Sequence, residues 1–241
     1  MADRACHVFG STTQVGLTQV LALMTDHRAI LKRVGLALVV FGIADIAFMI
    51  YSVTKGQSYS SSFNIFAVIA GVFLIRGSLG ATRLVTWFSA FMLTGFIGAI
   101  FLLFPFLQPF GLLITQTKLD PAWFVTLWLM AAVVLVLLGW IYRQLRSTTV
   151  LAALKASSRS TAAPKLAIGL GIVLVAFLAV MLNMTLNGSA GKKAIEMARQ
   201  QLGPGYNYAT QSIQWSGGHS RAVVAAYNDK EVKYVPVEWS E

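Results

Sequence analysis

Residues 122–142 read AWFVTLWLMAAVVLVLLGWIY, a run without a single charge. A helix that is apolar on every face is buried either in a large core or in lipid. Crossing the hydrocarbon of a bilayer takes about 20 such residues. The chain has 241 residues, 56% of them hydrophobic and 12% charged, so lipid is the solvent that fits. Its mean hydropathy, +0.68, points the same way. Pro121 stands just before the run, a position suited to the first turn of a helix.

Working outward, four more stretches qualify as spans. Residues 34–52 carry one acid, Asp45, and residues 63–80 carry one base, Arg76. Residues 84–104 end where Pro105 and Pro109 interrupt the pattern, since proline removes a helix hydrogen bond and clashes with the turn before it. Residues 166–186 follow Pro164. Trp87, Trp123, Trp140 and Tyr142 lie near proposed ends, where amphipathic rings favour the interface, whereas Trp128 lies deeper and reads as a packing residue. Segment 105–117 is apolar, short and broken by proline, and reads either as an interfacial or re-entrant connection or as an external loop.

The charges orient the bundle. The chain holds 19 Lys and Arg against 9 Asp and Glu, a formal +10. Arg4, Arg28, Lys32 and Arg33 precede the first span, Arg83 lies between the second and third, and Arg143, Arg146, Lys155, Arg159 and Lys165 fill the link between the fourth and fifth. The alternate loops carry Lys55, and Lys118 beside Asp120. The positive-inside rule then places the N-terminus in the cytoplasm and the C-terminus outside. A bacterial inner membrane, with a periplasmic tail, is the expected location. The positive excess is thus a statement of orientation rather than of a nucleic-acid partner. The acid-free link 143–165 also offers anionic headgroups an attraction of about 1 kcal/mol per base.

No basic, apolar and small-residue order marks a cleavable signal peptide at the start. Leu17, Val20, Leu21, Met24 and Leu31 share a helical spacing, so residues 1–33 read as a cytoplasmic segment with an amphipathic helix. Met24 begins Met-Thr-Asp-His-Arg, a natural second start, so residues 1–23 also read as an upstream extension.

Beyond the last span the composition changes. Residues 187–191, Asn-Gly-Ser-Ala-Gly, read as a hinge. In 192–202, Ile195, Ala198 and Leu202 share one helical face, and Gly203-Pro-Gly205 ends the pattern. Three strand-like runs follow, 206–215, 220–227 and 232–239, separated by turn signals at 216–218 and 228–231. Val235, Val237 and Trp239 fall on one face of the last. The expected architecture is an α-helical integral membrane bundle of five transmembrane helices (34–186) with a small C-terminal extracytoplasmic α+β domain (192–241), a helix plus a three-stranded antiparallel meander. About 50 residues without a disulfide make a marginal core that leans on the membrane, a second copy or a partner.

The candidate intramembrane site is the polar pair Asp45 and Arg76. Ionisable residues inside a span usually face the bundle interior or a wet cavity. The pair reads as a proton or cation site with its counter-charge, as a buried ion pair that fixes helix packing, or as an acid beside an arginine that snorkels to the headgroups. Gly42, three residues before Asp45, and the four-apart pairs Ala67 with Gly71 and Gly95 with Ala99 have the spacing of helix-packing contacts. Cys6 is the single cysteine, and none of His7, His27 and His219 lies in a span. Neither metal-ligand spacing nor a phosphate-binding, zinc-protease or Gly-x-Ser-x-Gly motif is present. The sequence therefore predicts no catalytic residue, no metal and no cofactor. It predicts a non-catalytic multi-pass protein with the lipid bilayer as one partner. A protein partner or a second copy is expected at residues 192–241. The alternative is a small transporter or channel component built on Asp45 and Arg76.

Overall fold

The computed structural model describes residues 6–56 and 64–240. Side chains are described from Asp26 onward, so Leu17, Val20, Leu21 and Met24 lie outside the described side chains. Two compact units form. One gathers the chain up to Ala90 with Leu138–Lys165, and the other gathers Phe91–Leu137 with Leu166–Glu241.

In the first unit, α1 runs unbroken over Cys6–Thr54. From Cys6 on, the expected cytoplasmic segment and the first span are therefore one helix, because no glycine or proline interrupts residues 25–34. Helix α2 covers Asn64–Ile75 and packs along α1. At 12 residues it is about 18 Å long, shorter than the roughly 30 Å hydrocarbon core. It ends earlier than the expected span 63–80, because Gly77, with φ of +78°, turns the chain into α3 (Leu79–Gly98). Among the described residues, four stretches are long and apolar enough to cross a membrane: Asp26–Thr54, Leu79–Leu103, Pro121–Leu145 and Lys165–Leu186. Four of the five expected spans have that length, and residues 57–63 lie outside the described chain.

The basic link contains a helix that periodicity had not flagged. Helix α7 (Thr148–Ala156) buries Val150 and Leu154, four apart, and packs on α1, and α1 itself buries His27, Leu31 and Val34 at helical spacing. Helix α6 (Pro121–Leu145) ends there with Ile141 and Leu145 buried. Ser147 holds the extended conformation typical of a residue before a helix.

In the second unit the end of α3 widens into a π-turn over Ala99–Leu103, where Phe104 N–H donates to the Ala99 carbonyl. The cause lies just downstream. Pro105 would drive its ring against the carbonyl four residues earlier, and a wider turn makes room. The chain stays helical through Pro105 in α4 (Phe104–Leu107), and the break falls at Gln108 and Pro109, before α5 (Phe110–Leu119). Segment 105–117, left open between connection and loop, is thus largely helical. Helix α8 (Lys165–Leu186) buries Ala167, Gly171, Val175 and Ala179, a four-residue repeat that faces α3: a Cβ on Gly171 would lie 3.1 Å from the Phe91 carbonyl, and one on Gly98 would lie 3.0 Å from Val175.

The tail folds as its pattern predicts. Helix α9 (Ser189–Leu202) lies against an antiparallel sheet in the order β1 (Asn207–Ser216), β2 (His219–Tyr227), β3 (Val232–Ser240). Ala194 and Ala198 of α9 meet Ala222, Val224, Ala226, Val235 and Val237. These alanines bring helix and sheet close, so the core is thin. Gly217 and Gly218, both at positive φ, form the two-residue hairpin turn. A bulge at Gln211 shifts the register between Thr210 and Ser212. The expected hinge is a two-residue corner, Asn187 and Gly188, since α9 already begins at Ser189.

Candidate functional site

Asp45 is half-buried on α1, one turn beyond the buried Gly42. Arg76 directly follows the last residue of α2 and is exposed. The crossing of α1 and α2 sets their levels. A Cβ on Gly35 would lie 2.5 Å from the Gly71 carbonyl and 2.9 Å from the Ile75 nitrogen, and a Cβ on Gly71 would lie 2.6 Å from the Gly35 carbonyl. The helices run antiparallel, so Arg76 stands beside the turn of α1 at or before Gly35. Asp45 is ten residues further on, about 15 Å of helix. That exceeds the reach of an arginine side chain, and the two charges are not brought together.

Of the packing residues singled out by spacing, Gly71 is buried in the crossing and Ala67 is half-buried one turn before it. Its counterpart is Gly35 rather than Gly42. Gly35 has no small residue four positions away on the same face, since Leu31 and Val39 occupy those places, so the spacing rule passes over it. Ala99 opens the π-turn, and a Cβ on Gly95 would meet nothing within 4 Å. Gly98 and Gly171 provide the close approach in that unit instead.

The second candidate is the surface of the tail. Alternation along β2 divides the sheet into two faces. One receives α9. On the other, the half nearest the β2–β3 turn docks on α4 and α5. Gln211 Nε2 donates to the Leu107 carbonyl at 3.3 Å, Thr115 Oγ1 donates to the Asn228 carbonyl at 3.1 Å, and Gln116 Nε2 donates to the Tyr234 hydroxyl at 3.0 Å. The Tyr227 ring covers Gly111, where a Cβ would lie 3.0 Å from Cε2. Leu112 and Thr115 are buried, as are Ala209 and Ala225, which pair across the strands beside Tyr234. The other half of this face carries Gln214, His219, Arg221 and Glu238, all exposed. Arg221 and Glu238 pair across the strands at 3.1 Å.

A charged clasp closes the sheet near the docked end. Lys233 Nζ donates to Glu231 at 2.9 Å and to the Tyr206 hydroxyl at 2.8 Å, and that hydroxyl donates to the same Glu231 oxygen. The hydrogen bond from Lys233, and then that from Tyr206, holds the Glu231 carboxyl below its ordinary range. The Glu231 bond raises Lys233 above the usual lysine range. Glu231 and Lys233 stand two apart in the sequence, but Tyr206 is 25 residues from Glu231, and no spacing rule links it to the other two.

Among the described residues, no three His, Cys, Asp or Glu side chains gather as metal ligands. No family model matches this chain, and neither the curated proteins nor the solved structures include a match to it.

Proposed function

We propose that this is a non-catalytic multi-pass membrane protein, an interaction, assembly or scaffold component that acts through its C-terminal domain outside the cytoplasm. One observation carries the reading. Half of one sheet face is clamped to α4 and α5, while the other half of the same face is polar and uncovered. A domain held this way presents a fixed surface. Extended partner segments can add to a free strand edge through main-chain hydrogen bonds.

A photo-crosslinking side chain at Gln214 is expected to capture a discrete product in intact cells, whereas one at Thr115, beneath the sheet, yields none. Deleting residues 192–241 is expected to abolish recovery of that partner in gentle detergent. Unchanged recovery after the deletion would sink the proposal. The competing reading, transport at Asp45, requires solute flux in proteoliposomes that Asp45→Asn reduces.

A further inference from the structure

The geometry points to a binding site for the phosphate of one anionic phospholipid at the turn between α2 and α3, built by Arg28, Arg76 and Arg159. The three come from separate parts of the first unit: α1, the residue after α2, and the segment between α7 and α8. The glycines of the turn let the arginines approach. A Cβ on Gly77 would lie 4.0 Å from Arg28 Nε, and a Cβ on Gly80 would lie only 2.9 Å from Arg159 Nη1. Arg76 adjoins Gly77 in the chain.

Two guanidinium groups, of Arg28 and Arg159, are brought to one turn, and Arg76 precedes it in the chain; like charges repel, so such a cluster calls for an anion. Among the described residues no ion pair joins an acid to any of the three; Arg221–Glu238 and Lys233–Glu231 both lie in the tail. Asp26, exposed on α1, is the acid nearest in sequence to Arg28. Arg146 differs from the three. Its Nη1 donates to the Thr161 and Ala162 carbonyls at 2.9 and 3.2 Å, so it shapes the segment that carries Arg159 instead of facing a ligand.

The depth favours a lipid as the source of the phosphate. The turn opens the apolar run Leu79–Leu103 and closes α2, so the arginines stand at the end of membrane helices, where headgroup phosphates lie. Arginine donates in a planar fork that matches phosphate oxygens. This goes beyond the general attraction of a basic face. It assigns a single lipid to three named side chains and leaves Arg146 out.

The test is native mass spectrometry of the full-length protein in neutral detergent. Dioleoylphosphatidylglycerol, dioleoylphosphatidylcholine and glycerophosphate are titrated in parallel. Phosphatidylglycerol is expected to give one saturable adduct, with weak binding of phosphatidylcholine and none of glycerophosphate. Arg28→Gln and Arg159→Gln each lower that affinity about fivefold or more. Gly80→Ala is the deciding variant. It leaves the net charge unchanged and pushes only the movable tip of Arg159, so folding is kept while the site is spoiled. Lys230→Gln removes one charge from the tail and is expected to have no effect. The assignment is overturned if Gly80→Ala binds like the native protein, if Lys230→Gln weakens binding as much as Arg159→Gln, or if either comparison ligand binds as tightly as phosphatidylglycerol.

Discussion

At the scale of single residues, the crossing of α1 and α2 rests on two glycines. A methyl group on Gly71 has no room, since its Cβ would stand 2.6 Å from the Gly35 carbonyl and 3.1 Å from the Val39 nitrogen. Those are backbone atoms, so the helices themselves must part. Gly71→Leu is expected to cost about 1–3 kcal/mol, the usual range for overpacking, or more. Gly95→Leu, on a position with open space, is expected to stay within about 0.5 kcal/mol. Thermal unfolding in detergent measures both. The clasp in the tail makes a prediction of a different kind. Glu231 is depressed, so its stabilisation is present above the ordinary carboxylate pKa of about 4.3 and is lost as pH falls through the lower native value. Lys233 is raised, so its share is present below about 10.4 and is lost only as pH rises through its higher native value. Hydrogen exchange of the strands in Glu231→Gln should therefore differ from the native protein at pH 7, and the difference should shrink as pH falls through the depressed native value of Glu231. A difference that ignores pH contradicts this account.

At the scale of elements, what was legible depended on whether a pattern is local. Helix α9 and strands β1 to β3 were readable because alternation, helical spacing and the glycine turns all lie within a few residues. Val235 and Val237 take the face expected of them. The apolar runs gave four helices of membrane length for the same reason. Helix α7 was hidden because the five bases of its link outweighed the short Val150–Leu154 repeat. The docking of the sheet on α4 and α5 was not legible at all, since Thr115 and Asn228 are 113 residues apart and polar side chains announce no partner. The Asp45–Arg76 pairing rested on a span drawn to residue 80, and the turn at Gly77 moves Arg76 out of the helix. Pro105 yields a prediction here. If its ring causes the π-turn, Pro105→Ala removes the clash and supplies a missing N–H, so residues 99–105 relax to α geometry. A structure of the variant, or carbonyl chemical shifts across the turn, reads the change; an unaltered π-turn means that packing holds it.

At the scale of the whole molecule, the membrane part and the tail do not separate where the composition changes. The unit that holds the tail also holds α4, α5 and part of α6. Removing residues 192–241 is therefore expected to do more than trim an appendage. Leu112 and Thr115, now buried, lose their cover, and amide exchange should accelerate across Phe110–Leu119. Exchange that stays slow there would show that α5 is held without the sheet. The other unit contains the longest element, and its length has a mechanical consequence. Helix α1 spans 49 residues, about 74 Å, more than twice the hydrocarbon thickness. A continuous helix transmits tilt and torque along its axis. A load on its N-terminal arm thus acts as on a lever held where α7 and α2 pack along it, and Gly35, in the crossing with α2, sits one residue beyond the buried Val34. Whatever pushes the arm must swing α1 against α2 at the place where the two backbones have least room to move.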